Sequence, residues 1–303
     1  MAVITTGTHP KTLWPGIKAI FGNAYTERAP EYPEIFDKQT SDKAYEERLE
    51  ITTFPLAPVK PQGESVSYVS DSQGYVSRLT NVAYALGFIV THEEQKDNLY
   101  EQVASRRAKA IAFSLRSTKE TVGANILNRG WTSGYTGGDG VVLFSASHPS
   151  RNGNWSNTLS VDADLSETAI EDMITQIMGM TNNVGLLVQF LANKLIVARQ
   201  NWFEANRIMK SVLQNDTANN ATNVLKATNA LPGGIVMNHY LTDADAWFIK
   251  TDCSEGLIYQ EREPMGGLQQ DNDFDTSNAK AKAYERYVFG WADPRAIVGS
   301  AGA

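Results

Sequence analysis

The fold class this chain predicts is α+β, and three observations carry it. One uninterrupted helical period runs over residues 91–128, short β-prone runs lie on both sides of it, and helices and strands do not alternate in the strict order of a parallel sheet. The 303 residues, 42% of them hydrophobic, suffice for one large domain or two.

Taken in order, residues 1–47 hold Pro10, Pro15, Pro30 and Pro33 between Trp14, Phe21, Tyr25, Tyr32 and Phe36. Proline at this density argues against a regular element, and aromatic side chains of this size are costly to leave in water. The segment therefore reads as an arm lying on its own domain or on a neighbour. From Arg48, the residues Leu49, Ile51 and Phe54 alternate into Pro55, Pro58 and Pro61, after which Val66, Tyr68 and Val69 resume the pattern. This predicts a long hairpin within 48–90, with a further turn at 70–74 before Tyr75 and the run into the long helix. The tip, 56–65, has too little apolar content to anchor itself, so a partner subunit is expected beneath it.

Thr91 is a good N-cap for the long helix, with Glu94 at the capping-box position. Leu99, Val103, Ala104, Ala108, Ile111, Ala112 and Leu115 form one apolar stripe. A helix over the whole span would reach about 55 Å, with a weak point at 117–119, where the stripe lapses. A Gly-rich loop at 130–140 and a polar stretch through Asn157 follow. A second helix begins at the N-cap Ser166 and carries Ala169, Met173, Ile174 and Ile177. A buried strand is expected at 194–198, a helix at 201–213, a polar surface loop at 214–229, and short strands at 235–238, 246–250 and 257–261. The last element alternates from Lys280 toward Gly299.

Composition removes several function classes. The 27 Lys and Arg against 34 Asp and Glu give a net charge of -7, which disfavours a dedicated nucleic-acid binder. The single cysteine, Cys253, excludes an intramolecular disulfide and a multi-cysteine zinc site. No signal peptide is legible in the first residues, and no apolar run approaches the ~20 residues of a membrane span, so no membrane partner is expected.

The motifs offer little chemistry. The glycines at 137–140 lack the Lys-Ser or Lys-Thr of a phosphate loop. Asp271, Asp273 and Asp275 have calcium-loop spacing, but Thr276 and Lys282 stand where that loop needs Gly and Glu, so the run reads as a solvated acidic turn. His9, His92, His148 and His239 are too dispersed for a ligand set on one helix. Ser147 and His148 are adjacent without a nucleophile elbow. Arg106, Arg107, Lys109, Arg116 and Lys119 read as a solvated face of the long helix. No cofactor, metal or catalytic residue is expected. An arm, a projecting hairpin and a beam without an active site fit an assembly subunit.

The order of these segments resembles the major capsid proteins of tailed bacteriophages, with the Hong Kong 97-type fold, and is most similar to the major head subunit of Mu-like phages. The resemblance rests on arm, extended loop, long spine helix and Gly/Asp loop, on LIVARQNWFEANRIMKS at 195–211 and KAKAYERYVFGWADPRAIVGS at 280–300, and on LFSASHPSRNG at 143–153. It implies an N-terminal arm (1–47), an extended loop with lead-in strands (48–90), a peripheral domain with the spine helix (91–150), an axial domain (151–271) and a return strand of the peripheral domain (272–303). It also implies self-assembly into hexamers and pentamers of an icosahedral virion head, built in the host cytoplasm around double-stranded DNA without sequence-specific binding. A separate scaffolding protein, a portal and decoration proteins would be partners. Trp14, Phe21, Tyr25, Phe54, Leu56, Lys60, Val66, Tyr68 and Tyr75 are the expected subunit-interface residues. An acidic wall around DNA is workable because tight phosphate binding would hinder packaging and ejection. The alternatives are an encapsulin-like compartment shell and a serine hydrolase using Ser147 or His148.

Overall fold

The computed structural model describes residues 14–51, 53–70, 73–91, 93, 100–214, 221–273 and 275–303. In chain order the elements are α1 (Trp14–Tyr25), β1 (Asp37–Thr40), β2 (Tyr45–Ile51), β3 (Gln73–Thr80), β4 (Val82–Val90), α2 (Tyr100–Asn128), α3 (Glu167–Met178), β5 (Ala192–Ala198), α4 (Trp202–Lys210), α5 (Val224–Ala227), β6 (Ile235–Asn238), β7 (Trp247–Thr251), β8 (Leu257–Glu263), β9 (Gln269–Asn272), β10 (Ala279–Trp291) and β11 (Ile297–Ser300).

The arm is more regular than its prolines suggest. Pro15 occupies the first turn of α1, where its missing N–H would have had no intrahelical partner, so it starts the helix instead of breaking it. Ile17 and Phe21, one turn apart, are buried against the stripe of Ala104, Ala108, Ile111, Ala112 and Leu115 on α2. The other proline cluster makes a single 3-10 turn, Tyr32–Glu34.

Helix α2 spans 29 residues, roughly 44 Å at 1.5 Å per residue, and runs without a break through 117–119. The apolar stripe lapses there because the buried face becomes polar: Lys119 and Glu120 are 5% and 4% exposed. Lys119 is therefore not part of a solvated basic face. Glu94 and Leu99, expected in the first turns, lie outside the described residues.

A five-stranded sheet packs under α2, in the order β1-β8-β10-β4 with β9 beside β10. Its central strand β10 turns Ala279, Ala281, Ala283, Glu285 and Tyr287 inward, and the alanines let α1 and α2 lie close. A four-stranded sheet, β11-β7-β5-β6, is covered on both faces. Leu195, Val197, Trp247, Ile249 and Val298 meet α3 and α4, whereas Ile196, Ala198, Phe248 and Ile297 join Leu127, Leu143, Phe144 and Tyr287. Sheet membership departs from the expected domain boundaries at two places. Strand β8, within 151–271, and β9, which crosses the boundary at 271, belong to the five-stranded sheet, and β11, within 272–303, belongs to the four-stranded one.

Three smaller expectations are corrected. The hairpin is β2 paired with β3, and residues 66–69 form no strand because Pro55, Pro58 and Pro61 deprive the facing run of ladder donors. Gln73 and Gly74, expected in a turn, begin β3; a Cβ on Gly74 would stand 2.9 Å from the carbonyl oxygen of Glu50. The polar loop at 214–229 contains α5, capped by Asn223 and anchored by the buried Leu225.

Candidate assembly surface

The β2–β3 ribbon carries a loop, 53–70, without regular structure and with its apolar side chains in water. Leu56 is 77% exposed, Val59 and Tyr68 92% each, and Phe54 and Val66 are more than half exposed. Lys60 is exposed on the same loop. So many large apolar groups in water on one loop exceed the scattered exposed apolar residues that a monomer's surface ordinarily carries. Val69, half exposed, belongs with them, as does Val59, which is not legible individually because a lone valine among prolines carries no period.

The root of the ribbon is held by polar groups. Asn183 Oδ1 accepts from the Thr53 amide (3.4 Å), Asn182 Nδ2 donates to Thr53 Oγ1 (2.7 Å), and Tyr75 donates to the carbonyl of Ala292 (3.3 Å). Arg48 pairs with Glu255 (3.3 Å), and Arg295 approaches Glu50 (3.8 Å). Burial pushes the Glu50 carboxyl up against the pull of Arg295. Between ribbon and body lies a cavity of about 300 Å3 lined by Arg48, Glu50, Tyr75, Asn183 and Arg295, among others. Arg48 Nε and Asn183 Nδ2 are buried without a partner among the described residues.

The expected interface residues therefore divide. Phe54, Leu56, Lys60, Val66 and Tyr68 lie on the open loop, while Tyr75 is at its root. Phe21 is 1% exposed inside its own subunit, so its ring is core. Tyr25 is tied into a buried ion cluster: its hydroxyl donates to Glu285 Oε2 (3.1 Å) and accepts from Lys119 Nζ (2.9 Å), which pairs with Glu285 at 2.5 Å. Burial pushes the Glu285 carboxyl up, opposed by Lys119, and raises the Tyr25 phenol strongly. The cluster fastens α1 to α2 and β10. The Trp14 side chain lies outside the described residues.

The candidates for chemistry resolve into structural roles. His148 is 1% exposed, with Nδ1 2.7 Å from Asp139 Oδ2, Nε2 3.0 Å from Asn157 Oδ1, and its ring stacked on Trp155. Both ring nitrogens face these acceptors, so neither is open to take a proton from Ser147, whose hydroxyl accepts from Asn154 (2.6 Å). Asn157 in turn donates to the carbonyls of Leu143, Pro294 and Ile297. Of the glycines at 137–140, two serve close packing: a Cβ on Gly138 would stand 2.7 Å from the Val76 carbonyl oxygen, and one on Gly137 2.7 Å from Trp291 Nε1, whereas Gly140 holds a left-handed φ of 78°. Asp273 pairs with Lys280 (2.7 Å), which lowers its pKa, and Asp271 accepts from the amide of Asn272. Among the described residues, no group of three His, Cys, Asp or Glu is placed to hold a metal ion, and no helix is long and apolar enough to cross a membrane.

Comparison with known proteins agrees with this geometry. Among solved structures, the chain is similar to the capsid of an empty GTA particle (TM-score 0.56, 12% identity, 89% of each chain covered). It is also similar to a virus-like particle from Pyrococcus furiosus (0.53, 12%, 94% of this chain and 98% of that one) and to the capsid of Myoviridae phage XM1 (0.51, 10%, 86% of each). At these identities the likeness carries the fold, which is the Hong Kong 97-type capsid fold. No curated protein matches the chain in sequence. Residues 77–300 match the phage capsid protein family, a span that runs from the middle of β3 to the end of β11. The chain belongs to the phage capsid protein family.

Proposed function

We propose that this chain is the major head subunit of a tailed phage of the Mu-like kind, many copies of which close into pentamers and hexamers around double-stranded DNA. As a phage capsid protein it is a structural shell subunit. The observation that carries the reading is the loop at 53–70, whose apolar side chains find no cover in their own subunit. Laid across a neighbour, the loop would bury them, and a closed symmetric array would multiply each weak contact. In this reading the five-stranded sheet with α2 forms the peripheral domain and the four-stranded sheet with α3 and α4 the axial domain. A separate scaffolding protein, a portal and possible decoration sites complete the head, which assembles in the host cytoplasm. The protein performs no catalysis, consistent with the enclosed His148. An encapsulin-like compartment ranks lower because the family match falls on phage capsids.

Electron microscopy of the purified recombinant protein tests the reading. Capsomers or closed shells support it, and DNA inside native particles separates a phage head from a protein-filled compartment. A monodisperse monomer that hydrolyses esters would overturn it.

A further inference from the structure

The four-stranded sheet carries opposite charge on its two sides. Residues 152–193 contain five acidic residues and no Lys or Arg, whereas 194–226 contain five Lys and Arg against two acidic residues. Parts of the two runs reach different edges of the sheet, although α3 packs on β5 as α4 does and Glu167 of α3 accepts from Gln214 (3.4 Å). The acidic run passes beside β11: Thr158 bridges Gly299, Ser300 Oγ donates to the Ala163 carbonyl, and Gln176 of α3 donates to the carbonyls of Ser156 and Thr158. Asp162, Asp164 and Asp172 are exposed on this side, with an open cleft lined by Leu159, Val161, Ala169 and Asp172.

The basic run lies at the other end of the sheet, where α4 packs on β5 and on the edge strand β6. With Ala205 and Ile208 facing inward, Phe203, Arg207 and Lys210 fall at i, i+4 and i+7 on the outward face of α4. All three are exposed, Phe203 at 77%, and the exposed Arg199, Val224 and Lys226 flank them. Arg207 pairs with Glu204 in its own helix, while Arg199, Lys210 and Lys226 form no ion pair among the described residues.

We propose that a second copy of this chain docks head to tail across these edges, the Phe203–Arg207–Lys210 face of one copy against the Asp164–Asp172 edge and cleft of the next. The proposal rests on the shell-building reading and gives it a polarity. Two different edges in contact make a heterologous interface, which rotation closes into a ring, whereas two identical edges would set like charges together. Phe203 supplies apolar burial, and the charges decide which edge meets which.

Paired charge reversal tests this in the full chain. D164K/D172K and R207E/K210E should each lower the assembled fraction about tenfold in sedimentation and micrographs, and the quadruple variant should recover to within about twofold of wild type. Recovery separates charge complementarity from damage to the fold. Pair variants that assemble like wild type, or a quadruple variant no better than either pair, would overturn the contact while leaving shell building intact. A wild-type chain that stays monomeric would overturn the shell reading itself, and the contact with it.

Discussion

Deleting residues 56–62 should leave a subunit that folds but does not close into stable shells. The deletion removes Leu56 and Val59, which are 77% and 92% exposed and belong to none of the three core clusters. In the free subunit they contribute nothing to stability, so unfolding in urea should shift by less than about 0.5 kcal/mol. In a shell, burying each against a neighbour is worth about 1.5–3 kcal/mol. The two together come to about 3–6 kcal/mol per loop, on the order of a hundredfold to ten-thousandfold in the equilibrium constant of each contact. Because every subunit repeats the contact, assembly should collapse far more than a single-site figure suggests. Circular dichroism and a urea melt establish the fold, while sedimentation velocity and micrographs count shells. Wild-type yields of particles from the deletion would refute the assignment of the loop as an intersubunit strap, and an unfolded subunit would refute the claim that the tip is independent of the core.

Other perturbations test the interior. Lys119→Met strands the Glu285 carboxylate and should cost about 3–5 kcal/mol in urea unfolding, most of it recovered in K119M/E285L; an equal loss in both would deny the ion pair its role. Burial raises the Glu120 carboxyl above its ordinary 4.5, against the pull of the Glu31 and Tyr32 amides, so the folded chain binds that proton more readily than the unfolded one. Ionisation therefore costs stability at neutral pH, and wild type should gain on Glu120→Gln as pH falls through the raised value toward 4.5; a constant difference across that window contradicts it. Gly138→Ala drives a Cβ into the backbone of β3 and should cost about 1–3 kcal/mol, so an unchanged melting temperature would remove the close-packing role of the Gly-rich loop. Burial pushes the Cys253 thiol up to about 12, so thiol reagents should label it at the rate of unfolding, and rapid labelling of the native chain would show an open site.

What was legible in the chain followed from periodicity. The stripe on α2, the Ser166 cap of α3 and the all-apolar strand β5 each carry a local signal strong enough to survive tertiary context. The loop was legible only in part: its tip was expected to project for want of apolar content, whereas it carries large exposed apolar side chains, and the alternation at 66–69 forms no strand. What escaped were features settled by partners distant in sequence. Lys119 and Glu120 look like surface residues until β10 brings Glu285 to one and the amides of Glu31 and Tyr32 reach the other. His148 looks like a catalytic candidate until Asp139 and Asn157 enclose it. Pro15 was misread for a different reason: a proline that begins a helix and one that breaks it are the same letter, and the distinction lies in whether apolar spacing follows, as Ile17 and Phe21 do.

The contrast between the root and the tip of the loop has a physical logic that binds these results together. If the root were apolar, the ribbon could fold down and bury Leu56, Val59 and Tyr68 on its own subunit, and the contact surface would be lost before a neighbour arrived. Instead Arg48, Glu50, Asn182, Asn183 and Arg295 tie the root by polar contacts that fix its direction, and although the apolar Leu49, Val188 and Phe190 share the cavity, Leu56, Val59 and Tyr68 of the tip do not line it. Pro55, Pro58 and Pro61 act on the same problem from the other side. They deny the tip a ladder of its own and narrow its conformations in the free subunit, so that less entropy is lost when it is laid across a neighbour. A loop held stiffly away from its own core, with its apolar groups still in water, is stabilised by adding a second subunit.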